Sequence, residues 1–264
     1  MYCLSLNDED YTKINSLNYI PVGLGKNRFS SKWLRDNDGI NISEKNSFYG
    51  EYTFHYWFWK NKIFEINDDK WIGFCAYRRF WTNSINLYKI NKKDDFLNRI
   101  PEEWNDQDVI LGQYINMDGW TKMKILKHGL KSFLFKTKYF LKKNQNLKLH
   151  FDSFHGFGNL DKAIELLYDD DKKDFKFFME NQNYYNQGNM FIFKNKKIIN
   201  SFYNTIFPWL QRCESIFGFN EKSYGNTRLY AFLMERFISY WFNKYSKVKI
   251  WPIAFYDINK ENLI

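Results

Sequence analysis

The sequence predicts an α/β protein whose mainly parallel sheet is flanked by helices. Three observations predict it. Short apolar runs of strand length, at residues 19–23, 71–77 and 190–193, are bounded by glycine and polar turn residues. Longer stretches, above all residues 196–217 and 226–245, carry apolar residues at helical spacing. The two kinds of segment alternate, the order that builds parallel sheets. With 264 residues, four prolines, no internal repeat and no Pro/Ser-rich linker, residues 1–264 are expected to form a single domain.

Residues 2–6 read as a first strand and 9–17 as a short helix. Residues 19–23 read as a second strand, broken by Gly23 and Gly25. Residues 26–46 read as an ordered loop, after which Ser47 caps a helix over 48–61 with Glu51 in its first turns. The continuous apolar run from Trp71 to Tyr77 suits a strand buried on both faces. Asp108 to Leu111 reads as another strand. Over residues 120–143, Met123, Leu126, Leu130, Phe133, Leu134 and Leu141 recur at helical spacing. Residues 160–168 read as a further helix, and residues 248–253 as the closing strand.

Composition narrows the function classes. The formal net charge is +9 and aromatics make up 21% of the chain, so some aromatic rings are exposed and available to stack on sugars or bases. A basic surface suits nucleotide phosphates, an anionic membrane or nucleic acid, and is also compatible with a plain lysine-rich surface. Cys3, Cys75 and Cys213 form no CxxC pair and no disulfide framework, which fits a reducing compartment. The first six residues are too short, and too soon followed by acids, for a signal peptide. No apolar run reaches membrane-spanning length. The expected location is cytoplasmic, soluble or peripheral at the inner face of the plasma membrane.

Several clusters can carry chemistry. Arg78 and Arg79 end an apolar strand, the edge where α/β sheets place ligands, and arginine grips phosphate in a bidentate manner; an ion pair with nearby acids is the structural alternative. Asp36-Asn-Asp38 is a D-x-D, able to hold a cation that bridges a diphosphate, yet Asp-Asn-Asp-Gly is ordinary turn chemistry and the turn is favoured. His150-Phe-Asp152-Ser-Phe-His155 concentrates titratable groups; were residues 150–152 extended, His150 and Asp152 would share a face. A general base (Asp152) or groups that bind a hydroxylated substrate are favoured there over a metal site, with a hydrogen-bonded turn as the bland alternative. Residues 184–193 place Asn186, Gln187 and Asn189 before a buried strand, where amides read sugar hydroxyls, with a plain turn as the structural alternative. Glu235 and Arg236 sit in an apolar helix, where an inward Glu needs a partner, and Arg is the obvious one. Asp169, Asp170 and Asp171 read as solvated surface.

From Trp120 onward the chain carries Lys122, Lys124, Lys127, Lys131, Lys136, Lys138, Lys142 and Lys143 with no acid before Asp152. A basic amphipathic helix over 120–143 suits an anionic membrane surface, or else the solvated face of a core helix. No nucleic-acid motif accompanies it, and none is expected to bind. No Walker A, G-x-G-x-x-G, G-x-S-x-G or H-E-x-x-H pattern occurs, which argues against P-loop enzymes, simple Rossmann dehydrogenases, serine hydrolases and zincins.

In order along nearly the whole chain, a set of segments resembles the DUF4422 family, bacterial polysaccharide-locus proteins regarded as GT-A-like glycosyltransferases. The segments are Tyr19-Ile-Pro-Val-Gly-Leu-Gly25, Asn41-Ile-Ser-Glu-Lys-Asn46, Tyr49-Gly-Glu-Tyr-Thr53 with Tyr56-Trp-Phe-Trp-Lys-Asn61, and Trp71-Ile-Gly-Phe-Cys-Ala-Tyr-Arg-Arg-Phe80. His150-Phe-Asp-Ser-Phe-His155, Asn189-Met-Phe-Ile192 and Phe232-Leu-Met-Glu-Arg-Phe237 complete it. One departure is Ala76, where the family usually has His or Gln.

The resemblance implies a GT-A-like (Rossmann-like) fold and transfer of a sugar from a nucleotide-sugar donor, a UDP-sugar above others, to a capsule, exopolysaccharide or lipopolysaccharide acceptor, free or lipid-linked. A non-catalytic carbohydrate-binding or assembly protein on the same fold is the alternative. It further implies that Pro21, Val22 and Gly23 border the nucleotide and that Asn41, Ser43 and Asn46 sit in the donor loop. Tyr77, Arg78 and Arg79 would stand where many GT-A enzymes place a D-x-D, and Asn189 and Met190 on the sugar side. In that frame Asp152 is the candidate base, with Glu235 and Asp161 next, while His150 and His155 orient sugars. The arginines could replace a divalent cation (Mn or Mg) at the diphosphate, since the leaving group needs positive charge from one source or the other.

Overall fold

A computed structural model describes residues 1–67, 70–117, 146–186, 188–219 and 224–258. The expected helix over 120–143 and Gln187 lie outside the described residues. The strands are β1 (Tyr2–Ser5), β2 (Ile20–Gly23), β3 (Leu34–Arg35), β4 (Ile72–Ala76), β5 (Arg79–Trp81), β6 (Val109–Gly112), β7 (Tyr114–Asn116), β8 (Tyr184–Asn186), β9 (Phe191–Phe193), β10 (Val248–Trp251) and β11 (Ile253–Phe255). The helices are α1 (Tyr11–Ser16), α2 (Asn46–Tyr49), α3 (Tyr52–Asn61), α4 (Leu147–His155), α5 (Asn159–Glu165), α6 (Asp169–Asn181), α7 (Lys196–Phe217), α8 (Tyr224–Thr227) and α9 (Leu229–Tyr245). The chain divides into two compact units, Met1–Gln113 with Gln187–Asn204 and Trp241–Ile264, and Tyr114–Asn186 with Thr205–Tyr240.

The first unit holds a sheet in the order β10-β6-β9-β4-β1-β2-β3. The pairs β10–β6, β4–β1, β1–β2 and β2–β3 are parallel, as expected, and β9 runs against both β6 and β4. β5 returns antiparallel to β4 and pairs with β11. Both faces of β4 are buried, which explains its unbroken apolar run. On one face Phe74 packs edge-on to Phe58 and Phe191 at 5.3 Å and to Phe54 at 6.1 Å. On the other, Cys75 joins a core with Cys3, Trp81, Trp104 and Trp251. Two of these indoles donate, Trp81 to Phe74 O and Trp251 to Thr82 O, both at 2.8 Å, while the buried Nε1 of Trp104 has no partner among the described residues.

Two expectations about local structure are corrected. The helix read over 48–61 is two helices, because Gly50 takes φ +57°, a conformation that ends α2 before α3 starts at Tyr52. Nor does Ser47 cap it: neither helix start has a side-chain cap bond, Ser47 lies within α2, and Asn46 Nδ2 donates to Gly50 O at 2.8 Å and to Thr53 Oγ1 at 3.0 Å.

The second unit pairs β7 with β8 and gathers α4, α5 and α6 with the adjoining parts of α7 and α9. Phe175 of α6 meets Trp209, Phe237 and Tyr240 within 6 Å. Asp171, expected on the solvated surface, is instead 6% exposed and accepts from Tyr240 Oη at 2.8 Å, whereas Asp169 and Asp170 are exposed as expected. Residues 150–152 are helical, not extended, so the face shared by His150 and Asp152 in a strand does not exist: both lie in α4.

Candidate functional site

At the carboxyl edge of the parallel strands, the chain after β2 turns through Gly23-Leu24-Gly25. Gly25 has φ +65°, and a side chain there would run into Asn46. Two side chains grip the turn. Arg35 donates from Nε to Gly23 O at 3.1 Å and from Nη2 to Gly25 O at 2.7 Å. Asp36 accepts from Gly25 N at 2.9 Å and from Thr53 Oγ1 at 2.6 Å. Pro21 and Val22 are buried in the sheet, so of the three residues expected at the nucleotide only Gly23 lies at the strand end.

The D-x-D of this loop is not built as a cation pair. Asp36 is fully buried and held by its two donors, while Asp38 is exposed. Burial pushes the Asp36 carboxyl up, and the bonds from Thr53 and Gly25 draw it partly back. Among the described residues no cluster of three or more His, Cys, Asp or Glu is placed to hold a metal. The other loop residues are knit into the loop itself. Asn41 Oδ1 accepts from Ser43 N and Oγ at 3.2 and 2.9 Å, and its Nδ2 donates to Asn37 O and Gly39 O.

β4 ends at Ala76, and Tyr77-Arg78 form the turn into β5. The two arginines therefore do not prolong one strand; Arg78 is in the turn and Arg79 opens the return strand. Arg78 stacks 5.0 Å from the Tyr77 ring and lies 3.6 Å from Asp257, whose side chain is 4% exposed. Arg79 lies 5.1 Å over the Phe255 ring and has no carboxylate partner among the described residues. Its Nη1 stands 3.5 Å from where a Cβ on Gly188 would be.

Next to Gly188, Asn189 forms a bracket that the sequence did not reveal. Its Oδ1 accepts from Tyr52 Oη at 2.7 Å and its Nδ2 donates to Glu51 Oε2 at 3.2 Å. Glu51 and Tyr52 open α3. Glu51 passed as a helix-start acid; that it precedes a tyrosine across from an Asn 138 residues later is tertiary information. Met190 is 4% exposed and belongs to the core.

The other predicted residues lie in the second unit. Glu235 pairs with Arg236 at 2.6 Å, as expected, and Arg236, 1% exposed, lies 3.7 Å over Tyr185. Arg236 Nη2 is 3.4 Å from His150 Nδ1. Burial first, and Arg236 second, hold His150 down at about 3. His155 stacks on Phe232 at 3.9 Å and donates from Nδ1 to Gly225 O at 3.2 Å; burial pushes it well below the usual range. Both imidazoles are neutral at physiological pH. Asp152 accepts from Gly158 N at 3.3 Å, and Asp161 forms an ion pair with Lys148.

The family model described as "Domain of unknown function (DUF4422)" matches residues 4–247. The chain belongs to the DUF4422 family. No curated protein matches it. The solved apo structure of WbbM, a bifunctional glycosyltransferase, is similar to 90% of this DUF4422 chain with a TM-score of 0.66 and 22% identity. The chain spans 42% of that solved chain. At such identity the likeness is one of fold, and it agrees with the mainly parallel α/β sheet flanked by helices.

Proposed function

We propose that this DUF4422 protein is a glycosyltransferase that moves a sugar from a nucleotide-sugar, a UDP-sugar first among candidates, to a glycan or lipid-linked glycan acceptor in polysaccharide biosynthesis. The observation that carries the reading is Arg79: a guanidinium at the carboxyl edge of the sheet, without a carboxylate partner among the described residues, beside the Glu51–Asn189–Tyr52 bracket. The fold shared with a glycosyltransferase supports it. In this account Arg79, with Arg78 behind it, offsets the charge that develops on the departing nucleotide diphosphate. The pinned turn at Gly23 keeps backbone close to the nucleotide. Asn189 fixes the Glu51 carboxylate so that it can accept hydrogen bonds from donor-sugar hydroxyls.

For the base that takes the acceptor proton we retain Asp152. Glu235, paired with Arg236, and Asp161, paired with Lys148, remain the next candidates. A thermal-shift screen against UDP, GDP, CDP and dTDP, with and without Mn²⁺, tests the reading, because a ligand of the native state raises the melting temperature. A rise with one nucleotide supports transfer. No rise with any, in a folded sample, favours a non-catalytic carbohydrate-binding role.

A further inference from the structure

Within the first unit, a cavity of about 460 Å³ opens at the sheet edge opposite Gly23 and Tyr77. It is lined by Lys194, Lys196, Lys197 and Lys247 with Asn105, Asp106, Gln107, Asp108 and Asn195. The topology places it there. Val109 and Val248 begin the parallel strands β6 and β10, and Phe193 ends β9, which runs against them. The rim is stitched by main-chain bonds: Lys194 N donates to Asp108 O at 3.0 Å and Asp108 N to Lys247 O at 2.9 Å.

We propose that this cavity binds a ligand bearing a diphosphate or clustered phosphates, at a site separate from the nucleotide-sugar site. Of its four ammonium groups, only Lys196 is tied down among the described residues, donating to Phe64 O and Ile66 O at 3.1 Å. Lys194, Lys197 and Lys247 have no carboxylate partner among the described residues. The Asp108 carboxylate in the lining accepts from the Lys247 amide at 3.0 Å. Asn195 already satisfies Lys197 N and Ile198 N at the start of α7, so the helix end offers little and the lysines carry the attraction. Three mobile ammonium point charges of one sign suit the several oxygens of a phosphate cluster better than the plane of a single carboxylate. The volume exceeds one phosphate and leaves room for an attached group, within the range of small-molecule sites. An anionic lipid headgroup and a soluble diphosphate both supply this chemistry.

The test uses the full chain at low ionic strength. Binding of sodium pyrophosphate is measured by calorimetry, and binding to phosphatidylglycerol vesicles, against phosphatidylcholine vesicles, by flotation. Three proteins are compared: the intact chain, the triple variant K194E/K197E/K247E, and a charge-matched control on exposed helical positions, K162E/K173E/K176E. The intact chain and the control are expected to bind at least one probe, and the cavity variant to bind about tenfold more weakly or worse. Vesicle binding without pyrophosphate binding assigns a lipid headgroup, and pyrophosphate binding alone a soluble ligand. The proposal is overturned if the intact chain binds neither probe, if the cavity variant binds normally, or if the control loses binding equally. The UDP thermal shift of the cavity variant, expected to equal that of the intact chain, separates this site from the nucleotide site and shows that the variant is folded.

Discussion

Asn189 Nδ2 donates to Glu51 Oε2 at 3.2 Å while Asn189 Oδ1 accepts from Tyr52 Oη at 2.7 Å. Both ends of the amide are thereby used inside the protein. Asn189 is then a positioning residue, and the group it presents is the Glu51 carboxylate. Glu51→Gln keeps a hydrogen-bonding side chain and should leave thermal stability close to that of the intact protein. It should raise KM for the donor by about tenfold, since a hydrogen bond to a charged acceptor is worth roughly 1.5–3 kcal/mol. Asp152→Asn should instead lower kcat at near-unchanged donor KM. Steady-state kinetics of the two variants checks both. A normal rate for folded Asp152→Asn removes the base assignment, and normal kinetics for Glu51→Gln removes the sugar contact.

The two arginines should separate by phenotype. Arg79→Ala is expected to weaken UDP binding with little change in unfolding free energy. Arg78→Ala removes an ion-pair partner of Asp257, whose side chain is 4% exposed, and should show its larger effect in stability. Denaturant unfolding and calorimetry on both proteins decide it, and the reverse pattern would refute the assignment.

Asp36 is predicted to be structural. Removing its carboxylate in Asp36→Ala leaves Gly25 N without its acceptor and Thr53 Oγ1 with the longer bond to Gly50 O at 3.1 Å, and should cost about 1–3 kcal/mol. Asp38→Asn should leave stability and any Mn²⁺ response of nucleotide binding as they are in the intact protein. A Mn²⁺ response abolished by Asp38→Asn would show that the D-x-D holds a cation after all.

Stability should fall in mild acid. Burial holds His55 and His150 at about 3 and pushes His155 well below its ordinary value, so all three stay neutral in the fold. In the unfolded chain they titrate near 6.5. A depressed histidine stabilises fully above the unfolded value, and that contribution is lost as pH falls toward the folded one. Each lost contribution has a slope of about 1.4 kcal/mol per pH unit. Asp36, raised by burial, works in the opposite direction, since protonation relieves its burial cost as pH falls. One such carboxyl is outweighed by three histidines between pH 6.5 and 5. Urea midpoints at pH 7.5 and 5.0 check the sign; an equal or higher midpoint at pH 5.0 contradicts it.

Glu235→Gln should cost roughly 1.5–3 kcal/mol, because it weakens a charge-assisted bond to buried Arg236. Loss of transfer at unchanged stability would restore Glu235 to the catalytic list.

Much of the fold was legible because burial writes itself locally: the apolar run of β4, the helical spacing of α7 and the polar breaks around β9 each match an observed element. What escaped was set by tertiary contact or by one backbone dihedral. Gly50 splits a helix whose apolar pattern runs on, and Tyr240 draws Asp171 out of an acidic run into the interior. The site was half legible. Arginines after an apolar strand pointed to its edge, but the turn that sends Arg79 back along β5, and the bracket joining Glu51 to Asn189, rest on pairings that no local spacing encodes.

The central claim is that the carboxyl edge of the sheet, with Arg79, binds a nucleotide diphosphate. Calorimetric titration of UDP, GDP, CDP and dTDP into the intact protein and Arg79→Ala tests it most directly. The account predicts saturable binding of at least one nucleotide, weakened about tenfold or more by the substitution. Absence of binding by all four, or equal binding by the two proteins, would contradict it.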